Sequence, residues 1–209
     1  AGGDIVVVGT ASGDVIAINQ SDGTLAWKTA TSSEVLAPPQ IDGDLVILQT
    51  IDGKVTAYDA IDGESRWVYM MNTPPLTLRG TATPMIRDEI VIAAFANGRV
   101  AFLDRDRGLA AYDQRVAISQ GSTDLERLVD IDGAMQIVEG KLYVASFQGR
   151  LVAIDINSGG MIWAEEVSSI EGVGAGFGNI YAAKADSQIT AYNASNGREI
   201  WNGDALLHR

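Results

Sequence analysis

Ala57-Tyr58-Asp59-Ala60-Ile61-Asp62-Gly63-Glu64-Ser65-Arg66-Trp67 is the stretch whose reading decides the fold. Just upstream, Asp52-Gly53 is a hairpin turn signal, because glycine accepts the positive φ such turns require. Lys54-Val55-Thr56-Ala57 then alternates polar and apolar with the period of a strand. Asp62-Gly63 turns the chain again, and Glu64-Ser65-Arg66-Trp67 opens an outer strand. On the N-terminal side, Leu45-Val46-Ile47-Leu48 is wholly apolar, as expected of a strand buried on both faces. Pro38-Pro39-Gln40-Ile41 opens a short inner strand that Asp42-Gly43-Asp44 turns. Four antiparallel strands joined by tight turns thus fit into one stretch of about 40 residues.

The same pattern recurs along the chain. A Gly or Ser is followed ten residues later by Gly and four residues after that by Trp or Tyr. The copies are Gly13–Gly23–Trp27, Gly53–Gly63–Trp67, Gly98–Gly108–Tyr112, Gly149–Gly159–Trp163 and Ser187–Gly197–Trp201. The aromatic anchors stand 40, 45, 51 and 38 residues apart, a spacing typical of propeller blades. Ile5–Val8, Ile90–Ala93, Leu142–Ala145 and Ile180–Ala183 fill the apolar strand, and Val15–Ile18, Val100–Leu103, Leu151–Ile154 and Ile189–Tyr192 the alternating one. The expected fold is all-β: a β-propeller of four-stranded antiparallel blades forming a partial ring of about four to five. It is one domain over 1–209, with blades at about 1–30, 31–72, 78–115, 130–166 and 170–204. The first repeat lacks its inner strand. Open ends would leave strand edges unpaired, so the chain reads as a piece of a longer protein, or as half of a ring completed by another chain. The most helix-like piece is Ser122–Leu128.

Composition narrows the function. The formal charge is −12, from 15 basic and 27 acidic residues, which argues against a nucleic-acid partner and suits a basic or mixed protein partner. No run of eighteen apolar residues is present, and no signal peptide is visible at Ala1. Cysteine is absent and the one histidine is His208, which excludes disulfides and disfavours Ser-His-Asp machinery and histidine metal sites. Asp130-Ile131-Asp132-Gly133 lacks the other oxygen ligands of an EF-hand loop. The run Gly172-Val173-Gly174-Ala175-Gly176-Phe177-Gly178 does not have the spacing of a dinucleotide fingerprint and reads as a close-packed inner strand. No catalytic, cofactor or metal residues are expected.

Two segments interrupt the repeat. Val68–Arg79 holds two prolines, which stop a central strand, yet it carries Met70, Met71, Leu76 and Leu78 beside Arg79. These either tuck into the core or form an apolar patch rimmed by a cation. Asp113–Asp132 accounts for the longest spacing and holds Asp124, Glu126, Asp130 and Asp132.

The turn-to-anchor stretch is similar to the A-x-D-x-x-x-G-x-x-x-W docking motif of quinoprotein-like propellers. Ala57/Asp59/Gly63/Trp67 and Ala153/Asp155/Gly159/Trp163 match it fully. Asn replaces Asp at Asn19 before Trp27 and at Asn193 before Trp201, and Phe102 and Tyr112 depart most. In such a motif the aromatic ring fills space between neighbouring blades while the Asp or Asn satisfies turn donors. The Trp-Asp dipeptide of the rival WD40 propellers does not occur.

The interruptions resemble a narrower family. Leu76-Thr77-Leu78-Arg79-Gly80 with Thr83-Pro84, Gly121–Asp132, and the closing Asp204–Arg209 look like segments of the BamB family of lipoprotein propellers. That resemblance implies a non-enzymatic scaffold of the outer-membrane β-barrel assembly machinery, on the periplasmic face of a Gram-negative outer membrane. The implied membrane link is a lipid anchor outside this chain, the implied partner is the POTRA domains of BamA, and unfolded outer-membrane proteins are possible clients, taken by β-augmentation at strand edges. The implied contacts are Leu76, Leu78, Arg79, Asp130 and Asp132, with the two carboxylates either holding Arg79 in place or meeting a basic partner. The alternative is a quinone-dependent dehydrogenase, whose vicinal cysteines are missing here.

Overall fold

The alternation read from the sequence is realised strand by strand in the computed structural model, which describes residues 2–118, 122–184 and 186–204. The first sheet holds β1 (Ile5–Gly9), β2 (Asp14–Asn19) and β3 (Leu25–Ala30). Four-stranded sheets follow. They are β4 (Gln40–Asp42), β5 (Leu45–Gln49), β6 (Lys54–Asp59) and β7 (Ser65–Met70), then β8 (Met85–Arg87), β9 (Ile90–Ala94), β10 (Arg99–Asp104) and β11 (Ala110–Arg115). The last two are β12 (Gln136–Val138), β13 (Lys141–Ala145), β14 (Arg150–Asp155) and β15 (Met161–Glu166), and β16 (Val173–Gly176), β17 (Asn179–Ala183), β18 (Ile189–Asn193) and β19 (Glu199–Gly203). Strands are neighbours in chain order in every sheet. No helix occurs among the described residues.

The sheets are shared between two compact units. One holds the residues up to Thr73 with Arg79–Ala94 and Ala101–Tyr112. The other holds Pro74–Leu78, Phe95–Val100 and the chain from Asp113 onward. In the first unit the core joins Val7, Val15, Ala17 and Trp27 to Val35, Val46, Leu48 and Tyr58. In the second it joins Tyr143, Leu151, Ala153 and Trp163 to Val173, Ile180, Ala182 and Tyr192.

Burial follows the sequence pattern where a sheet has neighbours on both sides. All five residues of β5 are buried. The first sheet behaves differently. Val7, Val15 and Ala17 are buried, but Val8 is exposed and Val6, Ile16 and Ile18 are half-buried. Its residues are as apolar as those of β5, yet one face lacks cover among the described residues.

Three tryptophans make the same joint. Trp27 Nε1 donates to Ala60 O at 2.9 Å, Trp67 Nε1 to Arg105 O at 2.8 Å and Trp163 Nε1 to Ala194 O at 3.0 Å. Three residues beyond each acceptor lies a glycine with left-handed φ: Gly63 (74°), Gly108 (67°) and Gly197 (74°). A Cβ there would sit 2.6, 2.4 and 2.7 Å from the Trp ring, so glycine serves both the turn and the close approach. The carboxylates of Asp59, Asp104 and Asp155 accept backbone N–H groups of their turns, as does the Asn193 side-chain oxygen. Asn19 instead donates to Thr24 Oγ1. Tyr112 is half-buried, its ring 4.6 Å from that of Phe102. Trp201 departs from the expected docked state: it is 45% exposed and faces Tyr181 of its own sheet.

The glycine run forms β16, as expected of an inner strand, but the close packing lies at its head. A Cβ on Gly172 would meet Ala134 N at 2.2 Å and one on Gly133 would meet Gly172 N at 2.1 Å, where the two backbones pair in a parallel bridge. Around Gly174 there is open space.

Candidate functional site

The second interruption begins with a turn that its sequence specifies. Glu126 Oε2 accepts from the backbone of Ser122 (2.7 Å) and Thr123 (3.1 Å), and Glu126 N donates back to Thr123 Oγ1 at 3.3 Å. This is a capping box, and it accounts for the helix-like signal of Ser122–Leu128. The helix aborts after i→i+3 bonds from Arg127 to Asp124 and from Leu128 to Leu125. The reason is the next four residues. Leu128, Val129, Asp130 and Ile131 are all buried, and Asp130 O accepts from Phe147 N at 2.9 Å, which pulls the chain straight into the core. Gly121 of this loop and the segment after Asp204, His208 included, lie outside the described residues.

Asp130 is 1% exposed. Its Oδ2 accepts the backbone N–H of Leu78, which anchors the first interruption to the second. Its Oδ1 is buried without a partner. Burial raises the Asp130 carboxyl to about 6 against the lowering effect of the Leu78 bond. Asp132, half-buried nearby, is raised to about 7 by burial first and by the Asp130 charge second. Two neighbouring carboxyls taken out of water behave this way because the second charge is costlier than the first.

The anchored segment presents Leu76, 39% exposed, while Leu78 is half-buried. Pro74, Pro75 and Leu76 form one wall of a cleft of about 210 Å³, with Asn97, Asp124, Arg127 and Val129 opposite. Exposed Leu125 and Ile118 belong to the same unit. Arg79 belongs to the other unit, where its Nη2 pairs with Glu34 Oε2 at 2.8 Å, its side chain 71% exposed. Asp130 does not hold Arg79, which pairs with Glu34; it holds Leu78. The residues that sequence reasoning missed are Glu34, whose pairing across 45 positions left no local trace, and the Thr123–Glu126 capping box, which the Thr-x-x-Glu spacing does encode. Among the described residues, no group of three or more His, Cys, Asp or Glu is arranged to hold a metal ion.

Comparison with known proteins agrees with this arrangement of sheets and interruptions. The family profile described as outer membrane protein assembly factor BamB matches residues 1–203. The Pseudomonas aeruginosa outer membrane protein assembly factor BamB is 46% identical over 136 residues, 65% of this chain and 36% of that protein. Its Escherichia coli K12 counterpart is 37% identical over 207 residues, 99% of this chain and 53% of that protein. The crystal structure of BamB from Moraxella catarrhalis superposes with a TM-score of 0.94 at 32% identity, covering 99% of this chain and 63% of that one. The chain spans about half the length of the curated relatives it matches. A quinohemoprotein alcohol dehydrogenase from Comamonas testosteroni shares the fold alone, at 15% identity, with a TM-score of 0.75 over 96% of this chain and 41% of that one. The sheets are therefore blades of a β-propeller, and the chain belongs to the BamB family of outer membrane protein assembly factors.

Proposed function

We propose that this chain is part of a non-enzymatic scaffold that works in outer-membrane protein assembly, on the periplasmic side of a Gram-negative outer membrane, and that it docks onto the POTRA domains of BamA. One observation carries the docking surface: Asp130 pins Leu78, and so holds the neighbouring Leu76 out to solvent beside an apolar cleft. Exposed leucines around a cleft supply apolar anchors for a partner, and Arg79, largely exposed beside Glu34, supplies a forked donor for carboxylate or carbonyl oxygens. Asp130, being buried, acts by positioning Leu78. Asp132, half-buried, is proposed to meet a basic group of the partner. Unfolded outer-membrane proteins are the proposed clients of the scaffold.

The test is a binding titration against purified BamA POTRA domains. Saturable binding that falls by about 2–5 kcal/mol in Arg79→Ala, the cost of truncating one partner of a buried interfacial charge pair, is the expected result. Unchanged affinity in both Arg79→Ala and Leu76→Ala, with the fold intact, overturns the assignment of the surface.

A further inference from the structure

The strand that follows each Gly or Ser turn opens with a polar side chain, and the repeat usually gives it a partner across the hairpin. Asp14 pairs with Lys28 at 3.1 Å, Arg99 pairs with Asp113, and Gln188 accepts from Asn202 at 2.8 Å. Lys54 faces Val68 at the corresponding place and takes Asp52 of its own turn at 3.2 Å instead. Arg150, at the head of β14, has Ala164 at that place. Its Nε donates to Val116 O at 2.9 Å, which fixes the guanidinium, and neither Nη has a partner among the described residues. Glu166 is its register partner on β15, yet the two form no ion pair among the described residues.

The turn that leads into β14 is also built differently. In the other turns the left-handed residue is Gly13 (82°), Gly53 (82°), Gly98 (72°) or Ser187 (67°). Here it is Gln148 (46°), one place earlier, a conformation strained for any residue but glycine. Gly149 serves a close approach instead: a Cβ there would sit 2.1 Å from Ser146 Oγ and 2.7 Å from Ala117 Cβ. Gln148 N donates to Ser168 Oγ at 3.0 Å, which holds the altered turn. The counterparts of Gln148 are Ser12, Asp52, Asn97 and Asp186, and each bonds its side chain within its own turn. The Gln148 amide makes no such bond among the described residues.

These unused groups line one cleft of about 390 Å³, together with Ala117, Glu126 and Ile118, the last 54% exposed. It shares no lining residue with the cleft beside Leu76. Glu126 Oε2 is committed to the N–H groups of Ser122 and Thr123, which leaves Glu166 as the free carboxylate. The cleft holds one cation against two carboxylates in a chain of charge −12, so a free anion is a poor match for Arg150 and a neutral carbonyl is a good one. A primary amide both donates and accepts, as a peptide group does. Guanidinium, amide, carboxylate and an exposed branched side chain together offer partners to each part of an extended polypeptide.

We propose that this cleft binds an extended, basic segment of polypeptide, Arg150 donating to a main-chain carbonyl, Gln148 bonding a peptide group and Glu166 pairing with a lysine or arginine side chain. An apolar side chain of the segment lies against Ala117 and Ile118. The inference deepens the scaffold reading, on which it rests for the source of such segments among unfolded clients, and it uses a site separate from the proposed docking surface. Charge complementarity selects the occupant: the carboxylates and the overall negative charge favour a basic chain over an acidic one.

Fluorescence anisotropy on the 209-residue chain tests this. The probes are a short fluorescein-labelled, C-terminally amidated peptide that alternates lysine and valine, and the same peptide with glutamate in place of lysine. The wild type is expected to bind the lysine peptide saturably and the glutamate peptide more weakly. Arg150→Gln is expected to weaken the lysine peptide about tenfold, the loss of one charge-assisted hydrogen bond. The sign is diagnostic, because removing a cation would strengthen a merely electrostatic attraction for lysine. Glu166→Gln is expected to erase the preference between the two peptides, and thermal melting checks that both variants fold. No binding by the folded wild type overturns the inference, as does equal or tighter lysine-peptide binding in Arg150→Gln, or a preference that survives Glu166→Gln. A parallel titration against BamA POTRA domains keeps the two sites separable: Arg150→Gln is expected to leave that affinity unchanged, and Arg79→Ala to leave peptide binding unchanged. Failure with the peptide alone therefore strikes the cleft, and failure with POTRA alone strikes the docking surface.

Discussion

Trp67 and Arg79 are twelve residues apart and belong to structures built on opposite principles. The Trp67 joint is apolar and closed. The ring is 8% exposed, its one N–H is satisfied, and the glycine facing it leaves no gap. The segment from Pro74 to Arg79 is open. A single carboxylate holds it at Leu78, while Leu76 and Arg79 keep contact with water. At the Trp67 joint, where the repeat is kept, the ring and its N–H have their partners inside the chain. Where it is broken, groups are left over for something else. Stability and binding should accordingly separate between the two regions.

The largest expected effect tests the closed side. Trp67→Ala removes a buried ring and should lower unfolding free energy by about 3–5 kcal/mol in denaturant titrations. A loss as small as that of a surface change would mean the joint is decorative. Gly108→Ala should cost about 1–3 kcal/mol through its left-handed φ alone, with more from the collision with Trp67. Asp130→Ala sharpens the contrast from the open side. It leaves the Leu78 N–H without its acceptor, at about 1–3 kcal/mol, and amide exchange at Leu78 should accelerate more than exchange at Trp67.

The carboxyl pair adds a pH signature. The folded-state values of about 6 for Asp130 and about 7 for Asp132 lie above the ordinary 3.8, so the folded chain binds more protons than the unfolded one between those limits. Their contribution is fully present below about pH 4 and is lost as pH rises through 6 and 7. Asp44 and Asp59 work the other way. The hydrogen bonds from Arg66 hold both below the ordinary value, so their contribution is lost on acidification instead. Stability measured from about pH 5 to 8 should therefore fall with a slope that Asp130→Asn reduces, and an unaltered slope in that variant would show that another group carries it. The smallest effect on stability is that of Arg79→Ala, within about 1 kcal/mol, because an exposed ion pair contributes little. The same variant is expected to have the largest effect on partner binding.

Most of the fold is legible in the sequence because its determinants are local. Turn glycines, alternating strands and apolar runs recur within each repeat, and β6 and β14 lie where Val55 and Leu151 predict them. What the sequence hides depends on distance. That Arg79 chooses Glu34, or that Asp130 turns inward to hold Leu78, is set by residues 45 and 52 positions away. The Trp27 and Trp201 motifs are alike in sequence, yet one ring is docked and the other exposed, because the difference lies in what adjoins the sheet. The Gly172 run reads as a strand from its composition, while its tight spot at Gly133 emerges only once two segments meet.

A bulge breaks the ladder at the same place in four blades. Ala17 pairs with Trp27 but Ile18 with Leu25, and the same skip occurs opposite Ala57, Ala153 and Ala191. The skipped residues are Ala26, Arg66, Ile162 and Ile200. Released from pairing, this position is a free variable on the outer rim, open to tiny, charged or branched side chains without disturbing the indole beside it. Arg66 already exploits it, reaching Asp44 and Asp59 at 2.6 Å each. For a designer, it is the residue in each blade at which a label, a crosslinker or a new charge can be installed while the propeller's internal joinery stays as it is.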